Sequence, residues 1–372
     1  MNKIRLSKSS IDKEDIKYVS RVLKLEYLGM GEEVKKFESE IKSFLKTKNY
    51  VICVNSGTAA LHLSIQALKI GIGDEVLVPS ITYLSTFQAI SATGAKPIPC
   101  DVSYDRVFID LQDAFKKLTN KTKAIIPVHY ASNSIGIEEV YLFAKKYNLR
   151  VIEDAAHSFG SETNGKKIND KADIICFSFD GIKNITSGEG GAIVTRNKKL
   201  AELIQDARLL GVENDTKKRY SGLRSWYFDV HYQGWRYHMS NIMAALGRSQ
   251  LKKFDKFAKK RKKIVNLYIN ELKIISQIQI LNFNYCDLVS HIFPIKIIDG
   301  SRDELRKFLL KHDIESGYHY QPNHQLSLYL SNNKLPNTEL LAKELISLPL
   351  HTSLKTLEQK KVLKLIKSFY SQ

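Results

Sequence analysis

The chain has 372 residues and a hydrophobic fraction of 43%, which is ordinary for a globular protein with a substantial core. No apolar stretch approaches the roughly 20 residues of a membrane-spanning helix, and residues 1–7 lack the apolar core of a signal peptide. We therefore expect a cytoplasmic protein with no membrane partner. The formal net charge of +18 leaves nucleic-acid binding open at this point.

Apolar runs alternate with amphipathic segments through about the first two-thirds of the chain. The pattern predicts strands at 50–54, 75–78, 96–99, 124–128, 149–153 and 173–177, and helices at 58–68, 84–93 and 137–147. Such alternation predicts an α/β fold, in which a mostly parallel sheet is flanked by helices and ligands bind at the carboxyl ends of the strands. After about residue 250 the pattern predicts a smaller α+β unit, with a long basic helix, a strand at 291–298, a helix at 302–312, an aromatic-rich loop and further helices.

The positive charge is densest between residues 252 and 263. One interpretation is a nucleic-acid contact. The other is the solvent face of an amphipathic helix, because apolar residues recur at mostly three- and four-residue steps, at Leu251, Phe254, Phe257, Ile264, Leu267 and Tyr268. The periodicity favours the solvent face, and we expect no nucleic-acid partner. A general positive field would also attract a nucleotide diphosphate.

The four cysteines, at positions 53, 100, 176 and 286, lie far apart, and three of them sit in apolar runs. This spacing favours buried thiols over a disulfide framework. The chain also lacks a His-Glu-x-x-His motif and paired Cys-x-x-Cys motifs, so we predict no metal site.

Lys183 follows the predicted strand at 173–177 and precedes the glycine-rich turn at 188–191. Apolar flanks desolvate an amine, which lowers its pKa towards the neutral, nucleophilic form. Upstream, another apolar strand ends in Glu153-Asp154, and strand alternation allows only one of these acids to face a given site. A lysine and an acid at neighbouring strand ends suit pyridoxal phosphate chemistry, in which the lysine forms an imine and the acid keeps the ring nitrogen protonated.

A turn at residues 55–58 joins a predicted strand to a predicted helix. Backbone N–H groups at a helix N-terminus bind anions, and Gly57 would let a phosphate approach closely. The alternative is a simple helix cap, with Ser56 or Thr58 as the capping residue.

Together these motifs resemble the DegT/DnrJ/EryC1/StrS family of sugar-nucleotide aminotransferases, a branch of the fold-type-I pyridoxal phosphate enzymes. The resemblance runs nearly end to end and rests on residues 27–34, 37–38, 54–61, 73–80, 82–83, 151–157, 177–191, 234–241 and 347–351. It implies a large domain at 16–250, a small domain at 251–372 joined by the segment 1–15, and a homodimer that shares its active sites.

The resemblance also implies roles for individual residues. Lys183 and Asp154 would be catalytic. The cofactor would contact Gly57, Thr58, Tyr83, Asp154, Ala156, His157, Ser178, Lys183 and Arg236. Tyr83 and Ala156 would pack on the two ring faces, His157 would bond the ring hydroxyl, and Arg236 would reach the cofactor phosphate of the partner subunit. Many relatives carry asparagine where Arg236 stands and arginine where His238 stands, so this segment departs from the common pattern.

Substrate contacts are expected from Lys218 and Arg219, in a polar loop that could also be disordered, and from His319 and Tyr320 in the aromatic segment. The predicted reaction moves an amino group from L-glutamate to a nucleotide-linked keto-deoxysugar, with a 4-keto-6-deoxy sugar favoured over a 3-keto sugar, in surface polysaccharide or glycoconjugate synthesis. The alternatives are a pyridoxal phosphate enzyme for another keto substrate, such as a cyclitol, and a regulatory or DNA-binding protein.

Overall fold

The computed structural model describes residues 3–163, 165–167 and 171–371. Its described residues form two β-sheets, one of seven strands and one of three. The large sheet has the strand order β1-β7-β6-β5-β4-β2-β3, and β7 runs antiparallel to the other six strands. Its strands are β1 (Tyr50–Val54), β2 (Glu75–Pro79), β3 (Lys96–Cys100), β4 (Thr122–Ile125), β5 (Arg150–Asp154), β6 (Ile174–Ser178) and β7 (Gly191–Thr195).

The helices among the described residues are α1 (Lys13–Lys24), α2 (Glu32–Phe44), α3 (Gly57–Ala67), α4 (Leu84–Ala92), α5 (Leu111–Lys116), α6 (Ile137–Lys146), α7 (Lys198–Ala207), α8 (Asp215–Tyr220), α9 (Asn241–Lys252), α10 (Phe254–Leu272), α11 (Arg302–Lys311), α12 (Pro336–Glu344) and α13 (Thr356–Tyr370). The large sheet has an apolar cluster on each face, one of which includes residues of α3 and α4 and the other residues of α2 and α6. Burial of both faces explains why its strands are continuous apolar runs. The predicted α/β class is confirmed.

One predicted strand is displaced. The sequence pattern predicts a strand at 124–128, whereas β4 is Thr122–Ile125. Pro127 has no N–H to donate, and beyond β4 the pairing is reduced to the Ile126 N–H bond to the Leu77 carbonyl and an isolated bridge between Val128 and Asp154.

The small sheet is antiparallel, with the order β10-β9-β8 for β8 (Ile278–Ile280), β9 (Phe293–Ile297) and β10 (Leu345–Leu348). The prediction of helices alone after the aromatic loop is therefore wrong at β10. Its four apolar residues directly follow α12, and so short a run has too little periodicity to separate strand from helix. Ile4 pairs with Ile314 and joins the core of this unit, while Met1 and Asn2 of the predicted 1–15 segment lie outside the described residues. The predicted boundary at 250/251 falls within α9.

The basic helix α10 buries Phe254, Phe257, Ile264 and Tyr268 and exposes lysines such as Lys259, which confirms the interpretation of its charge as a solvent face. Three cysteines are buried and Cys286 is exposed, so the prediction of buried thiols holds for the three in apolar runs. Within the described ranges, no helix is both long and apolar enough to span a bilayer.

Candidate active site

A cavity of about 410 Å³ opens at the edge of the large sheet where β1, β5 and β6 end. It lies at the carboxyl ends of parallel strands, as expected for this type of sheet. Most of the residues predicted from the sequence line it: Gly57, Thr58, Tyr83, Asp154, Ala156, His157, Ser178, Lys183, His319 and Tyr320. Three predicted residues, Lys218, Arg219 and Arg236, do not.

Asp154 is the last residue of β5, and its carboxylate is buried. Its Oδ2 accepts a hydrogen bond from the Thr86 hydroxyl at 2.7 Å, and its Oδ1 accepts the Ala156 N–H at 3.2 Å. Glu153 lies on the opposite face of the strand, where its Oε2 is 3.1 Å from Nε2 of His129. The predicted alternation is thus confirmed, and Asp154 is the acid that lines the cavity.

Lys183 lies in the turn after β6 and is half-buried. Desolvation lowers the pKa of its amine to about 8, although the carboxylates of Asp154 and Asp180 oppose this shift. An amine with that pKa is partly neutral near physiological pH and can act as a nucleophile or a base.

The turn between β1 and α3 is a cradle for an anion. Ser56 caps α3, and its hydroxyl accepts the Ala59 N–H at 3.0 Å. A Cβ atom added at Gly57 would lie 2.9 Å from Cβ of Ser178, so glycine keeps open the space between the helix N-terminus and β6. The sequence allowed this turn to be either a helix cap or an anion site. In the structure Ser56 caps the helix, and the space beside Gly57 where an anion would bind is also open.

His157 is buried, and its ring makes two hydrogen bonds. Its Nδ1 accepts the Ala131 N–H at 3.3 Å, and its Nε2 lies 2.9 Å from the Tyr320 hydroxyl. Because Nδ1 is an acceptor, the ring proton is on Nε2, which donates to the Tyr320 oxygen. Desolvation and the nearby Lys183 amine lower the pKa of His157 well below its usual value, so the imidazole is neutral.

Among the residues of the cavity environment that sequence reasoning missed, Thr86 and His291 contact predicted site residues. Thr86 is the hydroxyl donor to Asp154 and lies on α4, where its side chain is one of several small polar groups with no distinguishing motif. His291 lines the cavity, with its ring centroid 4.6 Å from that of His157. It is the first residue of the predicted strand at 291–298, which was a clue to its position, and β9 itself begins two residues later at Phe293.

A second, separate pocket of about 200 Å³ collects basic side chains. Arg219, Arg224, Arg236 and His238 line it, and Arg219 is paired with Asp215 at 2.6 Å. The segment 217–220, for which a disordered loop was the alternative, belongs to helix α8. Lys218 on the same helix is exposed and lines neither pocket. We call the residues Arg219, Arg224, Arg236 and His238 the basic pocket.

The cavity fits pyridoxal phosphate, because it combines a lysine with a lowered pKa, a buried aspartate and an open glycine turn at a helix N-terminus. Together with the strand order of the sheet, these features define the class of the protein as a fold-type-I, pyridoxal-phosphate-dependent aminotransferase. The chain belongs to the DegT/DnrJ/EryC1/StrS aminotransferase family, whose model matches residues 9–367.

Individual relatives agree with this membership. The chain is 36% identical over 351 residues to the uncharacterized protein MJ1066 of Methanocaldococcus jannaschii, covering 92% of this chain and 91% of that protein. It resembles Helicobacter pylori PseC, an aminotransferase involved in the biosynthesis of pseudoaminic acid, with a TM-score of 0.91, 28% identity and full coverage of both chains. It also resembles the pyridoxal phosphate form of a putative sugar aminotransferase, Spr1654, from Streptococcus pneumoniae, with a TM-score of 0.90, 26% identity and 99% coverage of both chains.

Proposed function

We propose that the protein transfers an amino group from L-glutamate to the keto carbon of a nucleotide-linked deoxysugar, with a 4-keto-6-deoxy sugar as the favoured acceptor. The observation that carries the proposal is the Lys183 amine, with its pKa of about 8, in the same cavity as the buried Asp154 carboxylate. Membership of the family supports the reaction class. A cytoplasmic role in surface polysaccharide or glycoconjugate synthesis is part of the proposal.

Lys183 and Asp154 divide the chemistry between them. Bound pyridoxal phosphate supplies an electron sink that stabilises negative charge on the substrate carbon. Lys183 would hold the cofactor covalently, and its free amine would accept a proton as a base and return it as an acid. Asp154 would keep the ring nitrogen protonated, and its hydrogen bonds from Thr86 and Ala156 fix the carboxylate in place.

The remaining cavity residues would orient the cofactor. The backbone of Gly57 and Thr58 at the start of α3, with Ser178 opposite, would hold the phosphate. Tyr83 and Ala156 would pack on opposite faces of the ring, where only a small side chain fits beside the strand end. The Nε2–H of His157 is the donor that would reach the ring hydroxyl.

The nucleotide-linked sugar would extend from the cavity towards the positively charged basic pocket. His319 and Tyr320 line the cavity and offer hydrogen bonds to sugar hydroxyls. The basic pocket, with Lys218 on the neighbouring exposed face of α8, would bind the diphosphate, for which paired guanidinium groups are suited. This assignment accounts for why three arginines face one pocket.

We further propose a homodimer in which Arg236 reaches the cofactor phosphate of the partner subunit. The segment beside the basic pocket has large exposed aromatic side chains, with Trp226 81% exposed and Tyr227 97% exposed. Tyr83, at the cavity, is 60% exposed. Exposed aromatic surface of this kind is typical of a protein interface, and a second copy of the chain would cover it.

The substrate proposal is tested by supplying L-glutamate with thymidine-, uridine- and guanosine-linked 4-keto and 3-keto sugars and detecting the aminated product by mass spectrometry. We expect product from a nucleotide-linked 4-keto-6-deoxy sugar, with binding that weakens as salt concentration rises. Rapid transamination of simple keto acids or cyclitol ketones, with no sugar product, would reject the acceptor while leaving the cofactor chemistry intact.

A further inference from the structure

Arg208 lies at the end of α7 with its side chain fully buried, at 0% exposure. Its Nη1 donates to Oε1 of Glu38 at 2.7 Å and to the Cys53 carbonyl at 2.6 Å, and its Nη2 donates to the Tyr220 hydroxyl at 2.8 Å. The Tyr220 hydroxyl in turn donates to Oε2 of Glu38. Through its guanidinium and its backbone, Arg208 therefore joins three further parts of the chain.

The first of these parts is the edge strand β1. It is the terminal strand of the sheet next to β7, and no strand among the described residues lies on its outer side. At Cys53 the N–H donates to Glu38 at 2.8 Å and the carbonyl accepts from Arg208, so the ion pair satisfies both groups of the strand edge. This fixes the strand that leads directly into the turn at 55–58.

The second part is the segment that carries Arg236. The backbone of Arg208 accepts the Tyr237 N–H at 3.0 Å, and Leu209 forms a β-bridge with Arg236. On its other side, the Tyr237 carbonyl accepts the Asn55 N–H at 2.7 Å. The segment is thus held between Arg208 and the end of β1, with Arg236 and His238 both directed to the basic pocket.

The third part is helix α8. Its last residue, Tyr220, is half-buried against Arg208 and Glu38, and the preceding residue, Arg219, lines the basic pocket. Six residues make too short a helix to be stable alone, so its orientation depends on such tertiary contacts. The Tyr220 hydroxyl is the side-chain group that connects α8 to the buried ion pair.

We propose that Tyr220 is a positioning residue that, through Arg208 and Glu38, holds Arg219 of helix α8 in the basic pocket. The side of the basic pocket that α8 forms would then be fixed by one buried cluster, which suits the binding of a substrate diphosphate. The role rests on the proposed binding of a nucleotide diphosphate in the basic pocket.

The test compares Tyr220→Phe with the wild-type protein, both saturated with pyridoxal phosphate. Calorimetry measures the Kd of inorganic pyrophosphate, and stopped-flow absorbance measures the half-reaction with L-glutamate. We expect the Kd to rise about tenfold, because a hydrogen-bonded anchor to charged groups is lost, while the glutamate half-reaction is unchanged. Tyr147→Phe is the matched control and should change neither, because Tyr147 is a half-buried tyrosine that caps the C-terminus of α6 and makes no hydrogen bond to the Arg208 cluster.

A second variant, Glu38→Gln, removes the charge from the cluster but keeps an acceptor for the Cys53 N–H, and it should raise the Kd in the same direction. An unchanged Kd in both variants overturns the proposal. An equal loss in the glutamate half-reaction also overturns it, since the cluster would then support the whole fold and not the basic pocket.

Hydrogen exchange separates this proposal from the proposed function. If the wild-type protein does not bind pyrophosphate, the diphosphate assignment fails, and exchange of the amides at 215–225 then decides the positioning role. Faster exchange there in Tyr220→Phe, with no change in α3, supports the anchoring of α8 by Tyr220. Unchanged exchange refutes it.

Discussion

Nε2 of His157 lies 2.9 Å from the hydroxyl oxygen of Tyr320, although the two residues are 163 positions apart. The sequence motifs assigned one residue to the cofactor and the other to the substrate. In the structure they share one hydrogen bond, with the Nε2–H of the neutral imidazole as donor. The donor that would serve the cofactor hydroxyl therefore already has an acceptor from the aromatic segment.

This hydrogen bond leads to a prediction for Tyr320→Phe. Without the hydroxyl, the buried Nε2–H loses its acceptor in the cofactor-free protein, which costs about 1–3 kcal/mol. A bound cofactor would restore an acceptor, so the loss of stability should be smaller with pyridoxal phosphate present. Thermal melting with and without the cofactor measures the difference. Equal destabilisation in both states would contradict the prediction.

Tyr83→Phe is the control for this measurement. It also removes a hydroxyl at the cavity, but that hydroxyl has no hydrogen-bond partner among the residues that the structure describes. Its melting temperature should match that of the wild-type protein in both states.

Lys183 should capture the cofactor with a pH dependence set by its lowered pKa. In cofactor-free protein, the rate of visible absorbance growth on adding pyridoxal phosphate should rise with pH to a midpoint near 8, because only the neutral amine reacts. Asp180 raises the pKa of Lys183, so Asp180→Asn should move the midpoint to lower pH. Borohydride reduction should then place the cofactor on the peptide that contains Lys183. A label on another lysine, or a midpoint near 10, would show that the assignment is wrong.

Asp154→Asn should lower the rate of the glutamate half-reaction by about 100- to 1,000-fold or more, comparable to the loss of a key electrostatic group. The amide keeps the shape and can still bond Thr86 and Ala156, so the melting temperature should change little. Thr86→Val is the milder change for comparison, since it removes the hydroxyl that donates to Asp154 but leaves the carboxylate itself. It should have the smaller effect, and near-normal turnover in Asp154→Asn would exclude the proposed role.

Gly57→Ala should weaken cofactor binding by overpacking the cradle. The new Cβ would lie 2.9 Å from Cβ of Ser178, and such crowding costs about 1–3 kcal/mol, which we expect to appear in the Kd of pyridoxal phosphate. Gly29→Ala is the matched control, because an added Cβ there has no atom within 4 Å. Similar cofactor affinity in the two variants would argue against the turn as the phosphate site.

The sequence was sufficient for those parts of the fold and cavity that depend on neighbouring residues. Apolar runs predict the strands, and the polar or glycine residues that follow them, such as Asp154 and Gly57, fall at the cavity because parallel strands end at one edge. Lys183 is predicted for the same reason. The physical cause is local in each case: a strand is buried on both faces, and its end is the first place where a polar side chain reaches a site.

Contacts between distant segments could not be predicted in this way. Thr86 donates to Asp154 across 68 positions, and no local pattern distinguishes it from other threonines. The basic loop assigned Arg219 to the substrate and the resemblance assigned Arg236 to the cofactor, whereas the structure brings both into one pocket, because the segment of Arg236 pairs with Leu209. Such pairings depend on the packing of the whole sheet edge.

The last prediction concerns the sharing of active sites between subunits. If Arg236 serves the cofactor phosphate of the partner, a dimer of one Lys183→Ala chain and one Arg236→Ala chain has one complete site. Random mixing of the two inactive proteins after dissociation and reassociation should therefore restore about a quarter of the wild-type activity. Activity assays with the acceptor sugar, alongside light scattering to follow the dimer, make the measurement.

The control mixes Lys183→Ala with Asp154→Asn. Both residues line the same cavity of one chain, so every site in the mixed dimer lacks one of them and no activity should return. If the Lys183→Ala and Arg236→Ala mixture also stays inactive although mixed dimers form, Arg236 acts within its own subunit. It would then belong with Arg219 and Arg224 in the binding of the substrate diphosphate alone, since all three line the basic pocket of one chain.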